Sequence, residues 1–176
     1  KPALLRPFET KTVQIIAHTD AHTVATLDAE VRHGVPYLLL PYSECKTLAE
    51  ELASRGPMVA WRAIGIALDV LRALSAAHAR GLRHWDLTPS NVLLSKGSAG
   101  EEVVQVLAVG LAPIVRAMSD SDMTGPTGKG SGLSAAKYLA PELFYVGTSP
   151  SDGRADLYSV GALLVAMLTG KRPSAE

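Results

Sequence analysis

Ile64, Ala67, Leu68, Leu71 and Leu74 recur at steps of three and four, which predicts a helix with one apolar face. Gly81 supplies the positive φ needed just beyond it. Upstream, Thr47-Leu48-Ala49-Glu50 is a capping box, with a Thr N-cap and a Glu three residues on. The short helix it opens is expected to end at Gly56, and Pro57 suits the first turn of the next. Scattered apolar positions (Phe8, Val13, Ile15, Ile16) predict a helix over 8–18. The runs 23–28 and 35–40 read as two strands of a hairpin, separated by a charged turn around Arg32-His33-Gly34. Val92-Leu93-Leu94 and residues 103–107 read as two more short strands, with a polar turn over 95–102. Residues 119–134 carry Gly125, Pro126, Gly128, Gly130 and Gly132 and predict a mobile loop. Arg154 to Thr169 is apolar on nearly all sides, so it is expected in a core.

Hydrophobic residues make up 47% of the 176, enough for a sizeable core. Seventeen basic and seventeen acidic side chains cancel, which argues against a nucleic-acid or membrane-surface protein. No apolar run approaches the ~20 residues that span a bilayer. Cys45 is the single cysteine, so no internal disulfide is possible and a reducing, cytoplasmic setting is expected. The chain starts with Lys1-Pro2 and stops soon after a helical pattern, as expected of a piece of a longer protein.

The most specific string is His84-Trp85-Asp86-Leu87-Thr88-Pro89-Ser90-Asn91, close to the H-R-D-L-x-x-x-N loop. Three further strings stand in order with it. Tyr37-Leu38-Leu39-Leu40-Pro41-Tyr42 looks like a strand running into a hinge, Ala140-Pro141-Glu142 is an A-P-E triplet, and Asp156-Leu157-Tyr158-Ser159-Val160-Gly161 is similar to D-x-W-S-x-G. With these four the chain resembles the eukaryotic-type serine/threonine protein kinase family over nearly its whole length. The resemblance implies an α+β, protein-kinase-like fold. Residues 1–43 would form a partial N-lobe (regulatory helix and two strands) to the hinge, and 44–176 the helical C-lobe.

What the resemblance implies for the site is mixed. Asp86 stands at the catalytic base and Asn91 at a metal ligand. Leu40, Pro41, Tyr42 and Ser43 would form the back and hinge of an adenine slot, with Leu93 on its floor and Leu107 a further cofactor-binding residue. His84, Glu142 and Asp156 would be structural, Asp156 by capping the loop backbone. Four positions depart from the family. Ala108 and Val109 stand where the Asp and Phe of D-F-G belong, and a methyl group cannot hold a cation that needs oxygen ligands. Trp85 replaces an Arg that pairs with a phosphorylated loop, so that switch is expected to be absent even if Ser119, Ser121, Thr124 or Thr127 is modified. Thr88 replaces a Lys near the γ-phosphate, and Ser90 does not compensate. The Glu that pairs with the ATP-binding Lys falls near Lys11, with Glu9 two residues off, and the glycine-rich loop would lie before residue 1. His18, His22, His33 and His78 lack metal-ligand spacing and are expected as surface or packing residues.

The expectation is a pseudokinase: a kinase-like domain with impaired phosphoryl transfer, acting as a nucleotide-responsive or scaffolding module for a protein partner. ATP is the implied ligand and Mg²⁺ is disfavoured. Asp86 is then a loop residue that orders backbone. The alternative is a working serine/threonine kinase, with metal held by Asn91 and the phosphates.

Overall fold

In the computed structural model, residues 15, 18, 20–32, 35–107, 109–110, 137–144 and 153–171 are described. Most of the 8–18 helix, the Glu9/Lys11 positions, His33, Ala108 and the 119–134 loop lie outside them.

Two strands, β1 (Asp28–Arg32) and β2 (Val35–Leu39), pair antiparallel with Asp28 opposite Leu39 and Arg32 opposite Val35. The expected strand over 23–28 is therefore displaced. Its β-branched residues make only one parallel bridge, Thr23 to Val106, and pairing starts at Asp28. That bridge ties the N-terminal part to the rest, because Val24 N–H donates to Val106 O and Val106 N–H to His22 O. Arg32, expected in the turn, ends β1.

A three-stranded antiparallel sheet follows, in the order β3 (Lys46–Thr47), β4 (Val92–Lys96), β5 (Glu102–Val106). The turn between β4 and β5 is shorter than the expected 95–102, since Ser95, Lys96 and Glu102 are already paired.

The capping box forms as read: Glu50 N–H donates to Thr47 Oγ1 and Thr47 N–H to Glu50 Oε2. It opens α1 (Leu48–Arg55), which ends at Gly56 with φ 73°. Helix α2 (Ala60–Ala79) begins after Pro57, not at it, with Val59 as N-cap. Its buried face is Ala63, Ile66, Ala67, Val70, Ala73, Leu74 and Ala77. Ile64 and Leu68, expected on that face, are about half exposed. Alanines take the contact because α2 packs against α3 (Arg154–Thr169), and small side chains let two backbones approach.

Helix α3 has the expected extent but is not enclosed within the described structure. Ala155, Val160, Ala162, Leu163, Ala166 and Met167 are buried, whereas Leu157, Val165 and Leu168 are exposed. Gly170 ends it in the left-handed region, and Met58 N–H donates to Met167 O, joining the chain just before α2 to the end of α3. The core between them holds Leu48, Ile66, Val70, Leu74, Leu87, Val92, Val106, Leu163 and Met167. Arg62 on α2 clamps it from outside, bonding both Glu102 oxygens on β5 (2.6 and 3.1 Å) and Glu51 on α1 (2.8 Å). The paired carboxylates, Glu102 foremost, push the guanidinium pKa above its ordinary value.

Candidate active site

The site is the loop between α2 and β4, and a carboxylate behind it sets its shape. Asp156, in the first turn of α3, is fully buried. Its Oδ2 accepts from His84 N–H (3.0 Å), and its Oδ1 accepts from Trp85 N–H (2.8 Å). His78 Nε2 completes the set at 2.7 Å from Oδ2. The expectation for His78 as a mere surface or packing residue is thus corrected: it bonds the residue that holds the loop. Sequence gave little sign of this, since 78 positions separate the partners. Gly153 abuts the His78 ring, where a Cβ would collide. Trp85 is the one non-glycine residue with positive φ (58°) among the described residues, a conformation disfavoured for a bulky side chain.

His84 is buried, and its two ring nitrogens face different partners. Nε2 donates to Leu107 O (3.0 Å), and Nδ1 accepts from Asp86 N–H (3.3 Å). Those partners fix the Nε2–H tautomer. Burial holds its pKa below the ordinary histidine value, so the ring is neutral at pH 7. His84 thereby links the loop to the chain just before Ala108.

Asp86 is half-buried beside it. Thr88 is buried, and its hydroxyl donates to Asn91 Oδ1 at 3.0 Å. The Asn91 backbone is held as well, its N–H by Thr88 O and its C=O by Leu107 N–H. Val109 is buried with Ile15 and Leu82 in the main core. Glu142 is half-buried in a short 3₁₀ turn, Pro141–Phe144.

The expected adenine-slot residues do not all share one face. Leu93 pairs with Thr47 and Gln105, on the face of β4 opposite Val92 and Leu94. Leu40 and Leu107 are half-buried. Tyr42 and Ser43 instead line an open groove of about 1270 Å³ with Lys46, Arg62, Leu94 and Lys96. A second cavity, about 290 Å³, lies between α1, Thr88-Pro89-Ser90, Tyr138 and the end of α3.

The comparisons decide the family. The protein kinase domain model matches residues 8–176. This chain belongs to the protein kinase family. It is similar to serine/threonine-protein kinase PknJ of Mycobacterium tuberculosis, 40% identical over 127 residues, covering 72% of this chain and 20% of the relative. It is also similar to PknB of Mycolicibacterium smegmatis, 35% identical over 149 residues, 84% of this chain and 22% of the relative. The chain thus spans about a fifth of the length of these curated relatives. Among solved structures, the PknI kinase domain of Mycobacterium tuberculosis matches with TM-score 0.73 at 23% identity, over 99% of this chain and 60% of that one. Rad53 in complex with AMP-PNP matches with TM-score 0.71 at 19% identity, over 96% and 39%. These likenesses support the protein-kinase-like fold, a helical C-lobe with a partial N-lobe.

The family uses ATP and Mg²⁺, and the residues here fit the cation poorly. By the motif resemblance, Ala108 stands where the family has its metal-binding carboxylate. The amide oxygen of Asn91 already accepts a hydrogen bond from Thr88. Magnesium demands several oxygens in near-octahedral array. Among the described residues no cluster of three or more His, Cys, Asp or Glu exists that would replace them. Nor is any described helix long and apolar enough to cross a membrane.

Proposed function

We propose that this chain is a pseudokinase module: it keeps the kinase scaffold and binds, but does not transfer phosphate efficiently. The observation that carries the proposal is Ala108, a methyl side chain at the position of the family's metal-binding Asp. Phosphoryl transfer rests on positioning and on neutralising phosphate charge. Positioning survives in the Asp156–His84 framework, while the family's cations are missing at residues 85 and 88 and its metal-holding carboxylate at 108. A nucleotide would have to bind without the adenine slot expected from Leu93 and the hinge, since Tyr42 and Ser43 line the groove beside Leu94, on the opposite face of β4 from Leu93. The Rad53 neighbour was solved with AMP-PNP, which favours a nucleotide as the ligand class. A protein partner is the expected recipient of any signal.

Retention of Asp86 and Asn91, with serine/threonine kinases among the relatives, favours the second reading, an active serine/threonine kinase. Thermal unfolding in the presence of ATP, once with Mg²⁺ and once with EDTA, separates the two. At 100 times its dissociation constant a ligand adds ~2.7 kcal/mol. Equal stabilisation in both buffers supports the pseudokinase. Stabilisation only with Mg²⁺ contradicts it.

A further inference from the structure

Trp85 does more than delete an arginine. Its indole packs against Leu139, Ala140, Leu143 and Ala155, a small cluster set apart from the main core. Those residues come from two places: the stretch that carries Ala140-Pro141-Glu142, and the first turn of α3. Leu139, Ala140 and Leu143 are buried, while Lys137 and Pro141 are exposed, so the stretch presents one edge outward. The indole therefore joins three segments: loop, turn and helix.

The hold is apolar. Trp85 Nε1 is buried and meets no hydrogen-bond partner among the described residues. Leaving a buried donor unpaired is unfavourable, so apolar contact and not a polar bond holds the ring there. The backbone supplies the aim instead: positive φ at Trp85 and the 2.8 Å bond from its N–H to Asp156 turn the side chain toward the cluster. Strain of this kind persists only where the surroundings over-determine it.

We propose that Trp85 is a positioning residue: its indole, in place of a charge pair, anchors residues 137–144 to the loop and to α3. That stretch is then held in one conformation without any phosphate. The inference rests on the proposed binding role only in taking 137–144 as a face presented to a partner. Phosphate transfer, if found, would sink the inactive reading and leave this one untouched.

The experiment is amide hydrogen exchange of the 137–144 segment, paired with Trp85 fluorescence in a Trp61→Phe background. Trp61 is 76% exposed, so its replacement is mild. Trp85→Ala is expected to raise exchange at 137–144 by about tenfold or more while α2 keeps its protection. Trp85→Phe is expected to restore most of it. In the parent protein, Trp85 emission is expected to be blue-shifted and iodide-protected. If Trp85→Ala strips protection from α2 too, the milder Trp85→Leu decides on the same criterion. Unchanged exchange at 137–144 in the deciding variant overturns the proposal. So does a parent protein whose Trp85 emission is that of a water-exposed indole.

Discussion

The imidazole of His78 lies 2.7 Å from the carboxylate of Asp156, joining the last turn of α2 to the first turn of α3. The same carboxylate receives the backbone N–H groups of His84 and Trp85, so one buried side chain sets the path of the loop. Asp156→Ala strands these donors and is expected to cost about 3–5 kcal/mol. His78→Ala removes one bond and is expected to cost about 1–2 kcal/mol. Because both act on one network, the double variant should cost less than the sum. Urea unfolding of the four proteins measures it.

Acid should weaken the fold before the carboxylates titrate. His84 and His18 are buried, and desolvation lowers both pKa values, with Arg80 lowering that of His18 further. Below ~6.5 the unfolded chain binds protons that the folded chain refuses. Their contribution to stability is therefore complete above pH ~6.5 and is lost as pH falls toward the lowered folded values. Melting temperature is expected to fall between pH 7 and 5, and the His84→Gln variant should flatten part of that slope. A flat profile in the parent protein contradicts it.

Arg62 bridges two carboxylates, of which Glu51 is almost fully buried. Removing the guanidinium leaves Glu51, among the described residues, with the longer Arg55 contact at 3.6 Å. Arg62→Ala is expected to cost about 2–4 kcal/mol, and Arg62→Lys should recover little because the fork to Glu102 is lost. Chemical denaturation midpoints decide between these outcomes.

Restoring one carboxylate should restore a cation. Ala108→Asp is expected to make ATP binding stronger in Mg²⁺ than in EDTA by about tenfold or more. Adding Thr88→Val, which removes the hydroxyl from Asn91 Oδ1, should strengthen that dependence. Calorimetric titration of the single and double variants reads it directly.

Local chemistry made much of this legible in the sequence. The Thr47–Glu50 box, the Gly56 stop and the extent of α3 all depend on neighbours within a few residues, and they formed where read. The loop string and the Asp156 string gave the family. What escaped depends on tertiary contact. The strand at 23–28 had the right residues, but they meet Val106 at one end and Leu39 at the other, so no ladder forms along it. The buried face of α2 keeps Ala67, Leu71 and Leu74 but turns Ile64 and Leu68 outward: they outweigh alanine in hydrophobicity, but helix packing favours the small side chain. His78 gave no motif, and the Thr88–Asn91 bond needs a structure to be seen.

The most direct measurement is transfer of labelled γ-phosphate from ATP, with Mg²⁺ or Mn²⁺, by the parent protein beside its Asp86→Asn variant. Both are expected to incorporate label at the same background level. Incorporation that is well above background in the parent and vanishes in Asp86→Asn would contradict the account.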